Sequence, residues 1–137
     1  MLKRMTNHDG SELNPTVLVV DDTDAARRLI VRTLDRIGFS TIVAIDGESA
    51  LHNIRDFRPD AIVTDLEMPG MDGESLIEKL RSNPDERVRE LPVIVCSSKN
   101  DLETRRNLLR LGVNAIVPKP VDVRMLARRA LKLFKII

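Results

Sequence analysis

The stretch AIVTDLEMPGMDG, residues 61–73, decides the fold. Residues 61–64 form a short run without strict polar–apolar alternation, and the run stops at Asp65. Pro69 and Gly70 punctuate a loop, and Asp72 stands where it can cap a helix carrying Leu76, Ile77 and Leu80. A strand that is apolar on both sides has to be covered on both faces. That is the condition of a parallel sheet flanked by helices, and it places Asp65 at the carboxyl end of a buried strand.

Working outward, the same unit recurs. Runs at 16–20, 41–45, 92–96 and 115–117 alternate with amphipathic stretches. Ala26, Ile30, Leu34 and Ile37 space a stripe on a first helix, which Gly38 closes. Asp46 can cap a second, bearing Ala50, Leu51 and Ile54. Asn100 with Glu103 has the reciprocal capping pattern for a fourth, which Gly112 closes. A fifth starts near Asp122 and carries Met125, Leu126, Ala130 and Leu133. Five βα units predict an α/β fold: a flavodoxin-like, doubly wound parallel sheet of strand order 2-1-3-4-5, with the second strand at an edge. Residues 1–15 lack periodicity and read as a flexible arm, leaving 16–137 as one domain.

Composition agrees with a single globular core. The chain has 137 residues, 42% hydrophobic and 31% charged, a balance unlike that of disordered chains. With no Trp or Tyr and three Phe, the core is expected to be aliphatic. Lys and Arg total 22 against 21 Asp and Glu, so a net charge of +1 gives no global field for nucleic acid or an anionic membrane. No run approaches the roughly 20 apolar residues of a membrane span, and the opening MLKRMTNHDG has no signal-peptide core; a cytoplasmic protein without a membrane segment is expected. Cys96 stands alone and cannot form an internal disulfide, and His8 and His52 belong to no zinc cluster.

In such sheets function sits beyond the carboxyl ends of the strands, at the point where strand order reverses. The first strand ends in Asp21 and Asp22, the third in Asp65, the fourth in Ser97 and Ser98, the fifth in Lys119. Strands one and three are neighbours in this order, so the three aspartates converge. Two carboxylates at about 4 Å repel by about 4 kcal/mol at an effective dielectric near 20, which calls for a cation. An all-oxygen ligand set with few protein donors suits Mg²⁺. Lys119 adds a fixed positive charge and Ser97 a hydroxyl, which together suit phosphoryl transfer to one carboxylate. Each piece alone has a plainer reading: Asp21 and Asp22 as helix caps, Asp65 as a turn residue, Ser97 and Ser98 as caps, Lys119 in an exposed turn. Four strands each ending in the needed group are poorly explained by capping.

The segments VLVVDD (17–22), IVTDLEMPGMDG (62–73), PVIVCSS (92–98) and PKP (118–120) together resemble response regulator receiver domains of two-component signalling, of which the stand-alone chemotaxis regulator is one. The resemblance spans residue 16 to about 135. It implies that Asp65 is the phosphoacceptor, that Asp22 binds Mg²⁺ directly and Asp21 through water, and that the backbone carbonyl of Glu67 is a third protein ligand. It further implies that Ser97 turns toward the phosphoryl group, that Lys119 contacts it and precedes a cis bond to Pro120, and that Gly73 lies where the loop has no room for a side chain. A histidine kinase or phosphotransfer protein would donate the phosphoryl group, making the chain a regulatory phosphoacceptor in a phosphorelay rather than an enzyme. Output would leave through the fourth helix, fifth strand and fifth helix. That face holds Arg105, Arg106, Arg110, Arg124, Arg128, Arg129, Lys132 and Lys135, read either as a solvated surface or as a site for an acidic protein or a homodimer, with no direct nucleic-acid role. The apolar end of the chain, Leu133, Phe134, Ile136 and Ile137, is expected to pack partly on the sheet.

One departure from the family pattern and one variable pair of positions matter. Ile116 occupies the place, three residues before Lys119, where receivers often carry an aromatic ring that rotates inward. Glu67 and Lys99 lie two residues beyond Asp65 and Ser97, at places where receivers vary, and are expected to pair over the phosphoryl group and slow its loss. Two alternatives stand beside the main reading. One is a receiver-like scaffold that signals without phosphorylation. The other is a small haloacid-dehalogenase-like phosphatase using Asp22-Thr23-Asp24, with Asp22 as nucleophile.

Overall fold

Strand pairing follows from burial on two faces. Side chains alternate along a strand, so Val17 and Val19 point to one side of the sheet while Leu18 and Val20 point to the other. All four are buried, because helices cover both sides. The computed structural model describes residues 14–136. Its strands β1 (Thr16–Val20), β2 (Ser40–Ala44), β3 (Ala61–Thr64), β4 (Val93–Ser97) and β5 (Ala115–Pro118) form one parallel sheet in the order β2-β1-β3-β4-β5. This is the expected order, with β2 at the edge.

Helices α1 (Asp24–Arg36) and α6 (Val123–Leu133) cover one face, burying Ile30, Leu34, Leu126 and Ala130 against Val17, Val19, Val63 and Ile94. Helices α2 (Gly47–Phe57), α3 (Gly73–Arg81) and α5 (Leu102–Arg110) cover the other, burying Ile54, Leu76, Leu80 and Leu108 against Leu18, Val20, Ile62 and Val95. Of the chain's apolar end, Leu133, Phe134 and Ile136 join the first cluster, with Phe134 5.3 Å, ring to ring, from Phe39; Ile137 lies outside the described residues. No helix among the described residues is long and apolar enough to cross a membrane.

Three details differ from the sequence expectation. A one-turn helix, α4 (Glu86–Arg89), interrupts the connection between α3 and β4. Helix α5 is capped by Asp101 rather than Asn100: the Asp101 carboxylate accepts from the amide and hydroxyl of Thr104, while Asn100 accepts from Arg105. The arm expected at 1–15 falls outside the described residues except for its last two, and these are tied to β2. Pro15 carbonyl accepts from the Ser40 amide at 2.9 Å, and Asn14 accepts from the Ser40 hydroxyl.

Candidate functional site: an acidic cluster at the strand ends

The register aligns Val20 with Thr64, so the residues that follow them emerge side by side. Two further backbone bonds carry the ladder one residue past the strands: Asp65 amide to Val20 carbonyl at 2.9 Å, and Asp21 amide to Ala44 carbonyl at 3.1 Å. The main chain thereby fixes both acids before any side chain is placed. Asp21, Asp22 and Asp65 each offer a carboxylate oxygen, and these lie within 4.8 Å of one another. Asp21 and Asp65 are buried, whereas Asp22 is exposed.

Lys119 enters from β5. Its Nζ stands 2.8 Å from Asp21 Oδ2 and 3.2 Å from Asp65 Oδ2, bridging the two buried acids. The Lys119 amide donates to the Ser97 carbonyl at 3.0 Å, and the bond to Pro120 is cis, as the resemblance implied. The remaining carboxylate oxygens are held locally: Asp65 Oδ1 accepts from the Leu66 amide at 2.7 Å, and Asp21 Oδ1 from the Thr23 amide at 2.9 Å. Gly73, the first residue of α3, packs directly on this loop. A Cβ there would lie 2.2 Å from the Asp65 carbonyl oxygen and 2.8 Å from Leu66 Cα, so a side chain at residue 73 would displace the acid.

Electrostatics follow from this crowding. Burial pushes the Asp65 carboxyl above its ordinary value; the charge of Asp21 adds to the rise and Lys119 opposes it without cancelling it. For Lys119, burial disfavours the ammonium, but the hydrogen bond and charge of Asp21, with those of Asp65, outweigh it and hold its pKa above the usual lysine value. Cys96, beneath the site, is pushed up to about 12 by burial and is neither thiolate nor ligand at neutral pH. An all-oxygen cluster with two buried acids, one exposed acid and a single lysine fits a hard divalent cation such as Mg²⁺.

The other expected residues take distinct places. Ser97 is buried at the end of β4, and its Oγ accepts from the Lys99 amide at 3.0 Å, so the hydroxyl is engaged with its own loop. Glu67 and Lys99 are exposed on the rim of one concavity of about 350 Å³. They form no ion pair with each other among the described residues; the pairing expected from the sequence is one made over a bound phosphoryl group. Ile116 lies on β5 opposite Val95, half-buried against the α2–α3–α5 side of the core. Sequence reading missed the amides of Leu66 and Thr23, because backbone donors leave no residue signature. It also missed Arg27, whose guanidinium donates to the Asp21 carbonyl at 3.0 Å and pairs with Asp24; the three-residue spacing from Asp24 was the available signal.

Comparison with known proteins agrees with this geometry. Residues 17–131 match the family model described as response regulator receiver domain. The chain is 37% identical over 119 residues to hybrid signal transduction histidine kinase D of Dictyostelium discoideum, covering 87% of this chain and 8% of that protein. It is 36% identical over 122 residues to transcriptional regulatory protein PrrA of Mycobacterium leprae, covering 89% of this chain and 51% of that one. The chain thus spans about half or less of the length of these relatives. The receiver domain of Francisella response regulator 1452 superposes with a TM-score of 0.80 at 34% identity, over 89% of this chain and 98% of that one. The phosphatase alternative finds no footing, since Asp24 turns to Arg27 rather than to Asp22 and Asp65. From sequence motif, strand order and family match alike, the chain belongs to the response regulator receiver domain family.

Proposed function

We propose that the chain accepts a phosphoryl group on Asp65 from the phosphohistidine of a histidine kinase or phosphotransfer protein, in a Mg²⁺-dependent step of cytoplasmic two-component signalling. The observation that carries this reading is the meeting of three carboxylates with one lysine ammonium at the ends of three different strands. Asp21, Asp22, Asp65 and the Glu67 carbonyl would hold the ion, which when bound neutralises charge on the phosphoryl oxygens. The Leu66 amide fixes the Asp65 side chain so that a carboxylate oxygen attacks phosphorus in line. The P–N bond breaks, and the imidazole leaves with the electron pair and takes a proton from solvent. Lys119 presents a fixed positive charge beside the oxygens that gain negative charge.

Phosphorylation adds about two negative charges at neutral pH, and these act by biasing an element with two states. Ser97 is that element: its hydroxyl leaves the Lys99 amide for a phosphoryl oxygen. The loop that follows leads straight into the Asp101 cap of α5, so the α5–β5–α6 surface is the output face for a downstream partner. Ile116 has no ring to rotate, so coupling runs through this loop.

Intact-mass measurement after incubation with acetyl phosphate tests the reading. Wild type gains one phosphoryl group with Mg²⁺ and none without it, and Asp65→Asn gains none. Labelling of the Asn variant, or labelling that ignores the metal, would overturn the assignment. Glu67 and Lys99 flank the approach of hydrolytic water, and replacing both with Ala alters the dephosphorylation rate. An unchanged rate in single-turnover decay would remove them from the mechanism.

A further inference from the structure

We propose that the groove between α1 and the outer edge of β2 binds an acidic amphipathic segment of a partner protein, on a surface separate from the output face. Arg28, Arg32 and Arg36 recur every fourth residue on α1, which sets them in one exposed ridge about 12 Å long. With Arg27 at one end, they line a groove of about 640 Å³ whose apolar lining is Val31 and the exposed Val43. The groove's one acid, Asp35, is engaged: its Oδ1 accepts from the Thr41 hydroxyl at 3.2 Å. Helix α6 packs against α1, whereas β2 has no strand beyond it.

The chemistry of the lining selects the occupant. A row of cations over valines is complementary to a segment carrying acids along one side and aliphatic side chains along the next. Strand addition is disfavoured, because the Val43 carbonyl on the free edge already accepts from Asn53 at 3.0 Å. A helix laid in the groove makes the contacts through side chains alone. Nucleic acid is the poorer match, since no aromatic side chain lines the groove to stack a base.

A fluorescein-labelled synthetic peptide with Glu at every fourth position and Leu beside each Glu serves as the probe, read by anisotropy with the full chain. The triple variant Arg28→Ser, Arg32→Ser, Arg36→Ser is expected to weaken binding roughly tenfold or more, from three pairs lost together. The corresponding Arg→Lys triple should stay within about threefold, since charge is kept. Removing Arg124, Arg128 and Lys132 by Ser substitution deletes equal charge from α6 and should change binding by about twofold at most. Methyl signals of Val31 and Val43 should shift on titration. Arg27 is left unaltered because it holds the Asp21 loop. Equal losses from the α1 and α6 variants, silent valine methyls, or an oligonucleotide binding the groove as tightly as the peptide would each overturn the proposal. Repeating the titration with Asp65→Asn separates it from phosphoacceptance, because the groove is intact there.

Discussion

At Asp65 two demands conflict: burial beside Asp21 disfavours the carboxylate, whereas the proposed attack on phosphorus needs it. The folded-state pKa of Asp65 is raised, so its favourable contribution to stability is complete below the ordinary carboxylate range and is lost as pH rises through the raised value. Near pH 7 the ionised side chain therefore destabilises the metal-free protein, and Asp65→Asn should melt roughly 2–5 °C higher. The gap should narrow as pH falls and the wild-type carboxyl protonates. It should also narrow with Mg²⁺, because the proposed binding to the native wild type would stabilise it. An Asn variant melting below wild type at neutral pH without metal would contradict the electrostatic account. Site residues were legible at this scale because Asp21, Asp65, Ser97 and Lys119 each stand at or just past the end of an apolar run, where the pattern stops abruptly. The Leu66 amide was not legible, since its role depends on a loop geometry that side-chain identity does not encode.

Among the elements, α5 is fixed at one end by a single side chain. Arg81, at the last turn of α3, donates to the carbonyls of Leu111 at 2.7 Å, Leu91 at 2.8 Å and Arg89 at 2.9 Å. It thereby joins the end of α5, the start of β4 and the one-turn α4. Burial draws the Arg81 pKa down, while nearby Glu90 works in the opposite direction. Arg81→Met keeps the aliphatic stem but leaves these three carbonyls, and that of Gly112 at 3.4 Å, without this donor, and should cost roughly 2–4 kcal/mol in urea unfolding. A loss under about 0.5 kcal/mol, the ordinary range for surface positions, would show that water replaces the clamp. None of this was visible in the sequence, because the partners lie up to 31 residues away. Helix α4 escaped for a related reason: one turn is too short for a 3.6-residue period to register. The Asn100 expectation missed by one position, as both residues can cap and the loop after Ser97 decides which one does.

Taken whole, the molecule has two interiors separated by its sheet, one under α1 and α6 and one under α2, α3 and α5. Strand order and fold were legible because both faces of the strands had to be apolar, and that requirement shows directly in runs such as residues 17–20. Cys96 lies fully buried in the first interior, with its thiol pushed up to about 12. Alkylation of Cys96 should therefore proceed only through opening of that interior, and Phe134→Ala, which removes the contact with Phe39, should accelerate it. Labelling of native protein at the rate of a free thiol would refute this. For protein engineering the partition has a practical meaning. A combinatorial library built behind one side of the sheet can be screened without re-optimising the other, because distant substitutions combine nearly additively. A receiver of this kind could thus be hardened from beneath α1 while the interior under α2, α3 and α5 is retuned in parallel.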